Sequence, residues 1–210
     1  ICFAYTPVKK DMTINASLLA AEILAYSDFV NDKNQYSNEI KEVLRFTMLH
    51  QNLDGSWYYS FDPDTGKPKK QIDFHQGYVL ETIKRICDFS DIDISIYDKE
   101  IKLGLEFYKK YQFNDDGVSI WRLPKKWPVD IHNQSQGIIT FSIFKDYNPS
   151  YLDFSKKIAQ WTIANMQDSK GNFYYQKWPF LTTKTSYMRW NQGWMLLALS
   201  TLASEMDIDE

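Results

Sequence analysis

Cysteine and histidine, the residues on which most metal and disulfide sites depend, are scarce in this sequence. Two cysteines and three histidines are spread over 210 residues. No CxxC or HExxH spacing groups them, and no GxGxxG, Walker A or GxSxG motif occurs. The sequence therefore predicts neither a metal site nor a cofactor. Two isolated thiols fit a reducing compartment, which predicts a cytoplasmic protein.

Long apolar runs and an excess of basic residues are also missing. No run approaches the ~20 residues that a membrane-spanning helix needs, so we expect no membrane span. Lys and Arg total 24 against 27 Asp and Glu, which gives a formal net charge of −3. Nucleic-acid binding needs concentrated positive charge, so we expect no nucleic-acid partner. The sequence does not predict an oligomeric state.

Aromatic residues, in contrast, are abundant, with 7 Trp, 14 Tyr and 13 Phe. Such an excess indicates either a large core or a groove in which flat rings stack on a ligand. The chain length suits one domain over residues 1–210. Both readings of the aromatic residues are compatible with a domain of that size.

Two kinds of segment alternate along the chain at a period of about 60 residues. The first places Gln-Gly before an apolar run, at Gly77, Gly137 and Gly193. The second is the phrase "QNLDGSWYY" (51–59), repeated as "QDSKGNFYY" (167–175), with a looser copy at "QFNDDGVSIW" (112–121). We interpret this second phrase as the end of an outer helix and the turn that returns the chain to the next inner helix, with its glycine as a left-handed C-terminal cap.

Both kinds of segment have helical periodicity. "NASLLAAEILAYSDF" (15–29) and "NQGWMLLALSTLASEM" (191–206) are apolar almost all round, as buried inner helices are, whereas "NEIKEVLRFTMLHQ" (38–51) is amphipathic. This alternation predicts an all-α fold, an α/α toroid with about seven helices. The helices would form an incomplete ring of about three and a half helical hairpins. We expect only short extended pieces at "SWYYSF" and "NFYYQKW". Inner-helix residues expected to be buried are Leu18, Leu24, Leu80, Ile139 and Leu197.

The motifs resemble those of known toroids. The pattern Gln-x-x-x-Gly-x-Trp in "QNLDGSW" resembles the QW motif of terpene cyclase and prenyltransferase toroids. "RWNQGWMLLAL" (189–199) is similar to the Trp-Arg-Gly-Asn-Gly-Trp stretch at inner-helix starts in unsaturated glucuronyl hydrolases. More broadly, the chain resembles six-hairpin glycosidases, glucuronyl epimerases and a bacterial toroid family associated with polysaccharide biosynthesis. The resemblance implies a carbohydrate-active toroid, of which 1–210 would be the C-terminal part.

Residues just before each inner helix are the candidate site, because the N-termini of inner helices would share one mouth of a ring. The candidate catalytic residues are two carboxylates and two histidines: Asp73, Asp130, His75 and His132. Candidate substrate-binding residues offer amides, rings and one guanidinium. They are Asn15, Tyr78, Asn133, Gln134, Tyr187, Arg189, Trp190 and Asn191.

Each candidate also has a structural interpretation. Asp73 can simply be the cap of its helix, without a role in catalysis. The histidines can be structural residues whose hydrogen bonds are satisfied within the protein. Arg189 can pair bidentately with a sugar carboxylate or form an ion pair with a neighbouring Asp. Trp190 and Trp194 can belong to the core or stack on a ligand.

Three functions remain possible on the sequence alone. The first is an enzyme acting on an oligo- or polysaccharide that bears uronate, as a hydrolase, lyase or epimerase. In a glycosidase, Asp73 and Asp130 would form the carboxylate pair. The second is a non-catalytic carbohydrate-binding or scaffold ring. The third is an isoprenoid-binding toroid, whose cavity would be lined by apolar side chains.

Overall fold

A computed structural model describes residues 1–8 and 10–206 of the chain. The described residues form seven α-helices and six strands of two residues each, which confirms the predicted all-α class. A 3-10 helix (Ile94–Tyr97) and a π-helix (Met188–Gly193) accompany them. In chain order the elements are β1 (Met12–Thr13), α1 (Ile14–Val30), α2 (Ser37–Leu49), β2 (Ser60–Phe61), β3 (Pro68–Lys69), α3 (His75–Asp88), α4 (Asp98–Gln112), β4 (Val129–Asp130), α5 (Ile131–Ile143), α6 (Ser150–Met166), β5 (Gln176–Lys177), β6 (Thr182–Thr183) and α7 (Trp194–Glu205).

The chain forms two compact units, Ile1–Phe107 and a second that begins at Tyr108. In the first unit, α1 packs against both α2 and α3. Leu18 and Ala21 of α1 are fully buried, and the small Ala21 lets a neighbouring helix approach closely. Helix α2 is amphipathic and buries Val43 and Leu44. Burial of one such aliphatic side chain contributes roughly 1.5–3 kcal/mol, which is why these stripes determine the packing.

In the second unit, α5 packs against α6 and α7 and is buried over almost its whole length. Its polar side chains are compatible with burial because they find partners inside the protein. The Ser142 hydroxyl lies 2.8 Å from that of Ser155, and Ser155 also lies 2.9 Å from the carbonyl of Ile138, to which it donates. Helix α5 therefore matches the inner-helix prediction. For α1 and α7 the prediction of burial on every side was wrong, since Ile23 is 69% exposed and Leu196 is 72% exposed.

The burial predictions are partly confirmed. Leu18 and Leu80 are fully buried and Ile139 is 2% exposed. Leu24 is only half-buried. The prediction was wrong for Leu197, which is 43% exposed, since it lies on a face of α7 turned away from the buried Met195 and Ala198.

The repeated phrase follows the end of an outer helix and forms a tight turn, as predicted, but its glycine is not the C-cap, which is His50 for α2 and Gln167 for α6. Helix α2 ends at Leu49, and Gly55 lies in a turn closed by a bridge between Gln51 and Trp57. The Gln51 amide donates to the carbonyl of Gly55 across 3.1 Å, which holds the turn shut. The predicted positive φ is confirmed, at 93° for Gly55 and 90° for Gly171.

Two small antiparallel sheets join these turns to the inner helices. Their strand orders are β1-β2-β3 in the first unit and β4-β5-β6 in the second. The backbone N–H of Ile14 donates to Tyr59 O at 3.2 Å, and that of Ile131 donates to Tyr175 O at 3.1 Å. The sheets therefore hold the loops after α2 and α6 against the first residues of α1 and α5. The candidate residues lie in these places.

Candidate functional site

Asp73 and His75 form a hydrogen-bonded pair at the start of α3. Oδ1 of Asp73 lies 2.5 Å from His75 Nδ1 and also accepts the backbone N–H of His75 at 3.2 Å. The Gln71 amide donates to Oδ2 at 2.7 Å. Asp73 is only 2% exposed, whereas the His75 side chain is 20% exposed. The carboxylate is therefore enclosed, and the imidazole is the part of the pair that reaches the surface.

The electrostatics of this pair favour an ionised carboxylate. Burial is the largest influence and would raise the pKa of Asp73. The hydrogen bonds and positive charge of His75, together with the Gln71 amide, outweigh it and hold the pKa below its usual value. In the neutral form of the ring, the Nδ1–H of His75 donates its hydrogen bond to Asp73, and Nε2 is then the basic nitrogen. Among the described residues, none forms a hydrogen bond with this Nε2.

Aromatic rings and a narrow crevice surround His75. Its ring stacks on Phe74 at a centroid distance of 4.4 Å and meets the edge of Tyr59 at 4.8 Å, and Tyr78 lies 5.9 Å away. The crevice beside it measures about 10 Å³ and is also lined by Asn15. The buried Oδ1 of Asn15 has no hydrogen-bond partner among the described residues. A space of this size accepts no more than about one oxygen atom.

Asp130 occupies the corresponding place before α5, with different partners. It caps α5 by accepting the backbone N–H of His132 at 2.9 Å. Its Oδ2 accepts from the Gln176 amide at 2.7 Å, and Oδ1 accepts from the indole Nε1 of Trp190 at 3.2 Å. Burial, the largest influence, raises the pKa of Asp130 above its usual value, and these hydrogen bonds offset only part of that rise. The pKa of Asp73 is therefore lowered and that of Asp130 is raised, although both residues stand in an Asp-x-His sequence.

The His132 ring lies between two indoles. Its centroid is 4.3 Å from that of Trp190, edge-on, and 4.6 Å from that of Trp194, at a tilt of 30°. The residue is only 3% exposed. His132 is thus buried beneath two partly exposed indoles, whereas His75 is itself accessible.

The structure corrects the repeat register in its middle copy. Gln76 holds Trp57 through both ends of its amide, accepting from N at 2.8 Å and donating to O at 2.7 Å. Gln192 holds Phe173 in the same way. In the middle copy this place is taken by Gln134, which accepts from Ser119 N at 2.7 Å. The Gln-Gly pattern predicts Gln136 for this role, and that prediction is wrong by two residues.

The remaining amide candidates are buried and hold loop carbonyls. The Asn133 amide donates to two loop carbonyls at 2.9 and 3.0 Å, and the Asn191 amide donates to two others at 3.0 and 2.8 Å. Gln134 is fully buried and also donates to the Thr162 hydroxyl at 2.9 Å. The Oδ1 atoms of Asn133 and Asn191 are buried without a hydrogen-bond partner among the described residues. These three amides stabilise the loops that carry the site.

The segment Met188–Gly193 is π-helical, a form that often accompanies functional sites. It carries Arg189, which is exposed and makes no ion pair with any residue that the structure describes. Arg189 and Trp194 line a shallow depression of about 250 Å³. Tyr187 precedes the segment, 48% exposed, with its ring edge-on to Tyr175 at 5.3 Å.

Three contributors were missed by the sequence reasoning. Gln71 and Gln176 each orient one of the two carboxylates, and Tyr59 flanks the exposed imidazole. The signal that could have found Gln176 and Tyr59 is their place in or next to the Tyr-Tyr pair of the repeated phrase. Within residues 1–8 and 10–206, no cluster of three or more His, Cys, Asp or Glu side chains could hold a metal ion.

Comparison with solved structures identifies the architecture. A D-mannose isomerase matches with a TM-score of 0.78 at 12% identity, over 97% of this chain and 58% of that one. The cellobiose 2-epimerase of Bacillus thermoamylovorans B4167 matches with a TM-score of 0.79 at 14% identity, over 94% and 54%. The chain shares the α/α-toroid fold of these structures. The unsaturated glucuronyl hydrolase of Bacillus sp. GL1, responsible for glycosaminoglycan degradation, shares this toroid with a TM-score of 0.71 at 13% identity, over 94% and 56%.

The predicted α/α-toroid fold is thereby confirmed. The chain spans little more than half the length of these three toroids, 54% to 58%. No family model and no curated protein matches the sequence. Within the described part of the chain, no helix combines the length and apolar character needed to cross a bilayer. The single domain over 1–210, the longer toroid and the convergence of the candidates at one mouth stay predictions.

Proposed function

We propose that this chain belongs to a sugar-converting enzyme in which His75 transfers a proton at a carbon next to a carbonyl group. The observation that carries this proposal is the pairing of His75 Nδ1 with the enclosed, ionised Asp73, while the His75 side chain stays 20% exposed. A histidine oriented by a carboxylate is an effective general base near neutral pH. The toroids named above include an isomerase and an epimerase that act on sugars.

The reaction starts from the open-chain form of a reducing sugar. His75 Nε2 takes the proton from C-2, and the electron pair of the C–H bond forms the enediolate with the carbonyl oxygen. The same histidine returns the proton to C-1, which yields the ketose, while a hydroxyl proton moves from O-2 to O-1. A single base on one face suffices for this isomerisation. Epimerisation would require a second donor on the opposite face.

The surroundings of His75 suit a sugar better than an isoprenoid. Tyr59, Phe74 and Tyr78 provide flat faces for sugar stacking. The Oδ1 of Asn15, which has no hydrogen-bond partner in the described part of the chain, offers an acceptor for one hydroxyl group. A ligand that supplies this hydroxyl removes an unsatisfied buried acceptor, which contributes to its affinity. An apolar chain would leave that oxygen unpaired.

Arg189 extends the proposal to the substrate class. Its exposed guanidinium makes no ion pair among the described residues and can bind a carboxylate bidentately. A uronate residue of an oligosaccharide supplies such a carboxylate. The ligand class is therefore an acidic oligosaccharide.

The decisive experiment measures proton transfer directly. The protein is incubated in deuterium oxide with D-mannose, with cellobiose and with its acidic analogue cellobiouronic acid, and the C-2 hydrogen is followed by proton NMR. We expect exchange of this hydrogen for deuterium on at least one sugar. His75→Asn should abolish exchange, and Asp73→Asn should slow it about 100-fold or more, because the ring loses its orienting charge.

His50→Asn is the matched control. The His50 ring forms a hydrogen bond with the backbone carbonyl of Phe46 at 2.8 Å, and both residues lie outside α3. Loss of this ring should therefore leave the exchange reaction intact. Release of a new reducing end without exchange at C-2 would indicate a hydrolase and contradict the proposal. Sugar binding without exchange or cleavage would indicate a binding ring.

A further inference from the structure

One buried carboxylate joins three segments of the second unit. Asp130 accepts from the start of α5 at His132 N, from β5 at the Gln176 amide and from the π-helix at the Trp190 indole, at 2.9, 2.7 and 3.2 Å. Asp130 and Trp190 are 60 residues apart in the chain. The side chain therefore acts as a junction between elements that the sequence keeps apart.

Both carboxylate oxygens of Asp130 are occupied within the protein. Oδ1 receives two N–H groups and Oδ2 receives one, and the residue is 4% exposed. A general acid or base must come within hydrogen-bonding reach of the substrate atom that it serves. Asp130 presents little surface for such contact. Its geometry is that of a group that holds other side chains in place.

The side chain that it holds is a partly exposed ring, and the residue before it is an arginine that forms no ion pair with any residue the structure describes. Trp190 is 37% exposed and directly follows Arg189 in the π-helix. The Trp190 ring is also held from a second side, since the His132 ring packs against both Trp190 and Trp194. Trp194 and Arg189 line the shallow depression of about 250 Å³. The orientation of this surface thus depends on the Asp130–Trp190 hydrogen bond.

We propose that Asp130 is a positioning residue that orients Trp190, and with it the Arg189-bearing π-helix, for binding of an acidic sugar. This rests on the proposed function for the identity of the ligand. It removes Asp130 from the candidate proton donors. The Asp130–Trp190 hydrogen bond therefore increases the affinity for the substrate. Neither Asp130 nor Trp190 takes part in the chemical step.

A double-mutant cycle tests this assignment. Asp130→Asn, Trp190→Phe and the double variant are compared for cellobiouronic acid binding by calorimetry and for KM and kcat in the exchange reaction. We expect each single substitution to raise Kd and KM about tenfold, the scale of one hydrogen bond to a charged group. The Kd and KM of the double variant should be no higher than those of the single variant with the higher values, because both substitutions remove the same contact. For Asp130→Asn, kcat should stay within about twofold.

Asp153→Asn on α6 is the control, since this carboxylate is 80% exposed and its substitution should change none of these quantities. A fall in kcat of about 100-fold with unchanged KM in Asp130→Asn would make Asp130 a proton donor and overturn the proposal. Additive losses in the double variant would also overturn it, because Asp130 would then not act through Trp190.

Hydrogen exchange in the unmodified protein covers the case in which Asp130→Asn does not fold. The indole N–H resonance of Trp190 is identified by its loss in Trp190→Phe, and its exchange rate is measured. Slow exchange supports the hydrogen bond, and exchange as fast as in a free indole contradicts it. If the protein binds sugar without turnover, only the proposed function fails. If it binds no sugar at all, both proposals fail.

Discussion

Gly55 lies so close to Leu103 that a Cβ added to the glycine would overlap the backbone carbonyl of Leu103. Gly171, its counterpart in the second unit, has the same positive φ but open space, since the nearest atom to an added Cβ is 3.9 Å away. The two glycines therefore separate backbone strain from steric overlap. Turn chemistry explains both, and close packing explains only Gly55.

Alanine at these two positions should have unequal effects. Gly171→Ala should cost about 1 kcal/mol in the free energy of unfolding, the penalty of a left-handed conformation with a Cβ. Gly55→Ala should cost several-fold more, because the backbone around Leu103 must move. Urea unfolding of the two variants measures the difference. Equal losses would show that the overlap at Leu103 is relieved without cost.

Asp73 and Asp130 should contribute to stability with opposite dependence on pH. The folded-state pKa of Asp73 is lowered, so its contribution is present above the unfolded value of about 3.9 and is lost as pH falls through the folded value. The folded-state pKa of Asp130 is raised, so stability declines as pH rises from about 3.9 through the folded value. Unfolding free energies of Asp73→Asn and Asp130→Asn, measured against the unmodified protein from acid to neutral pH, should therefore diverge. Parallel curves would contradict one of the two assignments.

Arg189 should discriminate acidic from neutral sugars. Affinity for cellobiouronic acid should lie in the micromolar to millimolar range, about 4–8 kcal/mol, and exceed that for cellobiose. Arg189→Ala should remove most of this difference because the carboxylate loses its bidentate partner, whereas Arg189→Lys should keep part of it. Isothermal titration calorimetry with both sugars provides the measurement. Equal affinity for the two sugars in the unmodified protein would remove uronate from the proposed ligand class.

Helical periodicity was enough to predict the fold. All-round apolar runs became α1 and α7, and the amphipathic run became α2, because burial of matching faces determines helix packing. Leu197 was misplaced because periodicity shows that a face is apolar and does not show what covers it.

The site was predictable in location and not in detail. The Gln-Gly pattern favoured Gln136 as the residue that holds the loop. Gln134 holds it instead, and the Gln136 amide donates to the Thr140 hydroxyl in its own helix at 3.1 Å. Asp73 and Asp130 share the Asp-x-His sequence, but the second carboxylate bonds a tryptophan 60 residues away. Partners of that kind depend on tertiary packing, which a local pattern does not contain.

The glutamine contacts at Gln76, Gln134 and Gln192 have a mechanical consequence. Gln76 and Gln192 each bind both the N–H and the carbonyl of one loop residue, so the loop is attached to its inner helix at a fixed point. Gln134 attaches its loop through Ser119 N and Gly117 O. A shift of an inner helix therefore carries its loop along as one rigid piece. Groups on a helix start and groups on the attached loop would keep their mutual spacing during thermal motion, which is the condition for a binding surface that fluctuates without losing its shape.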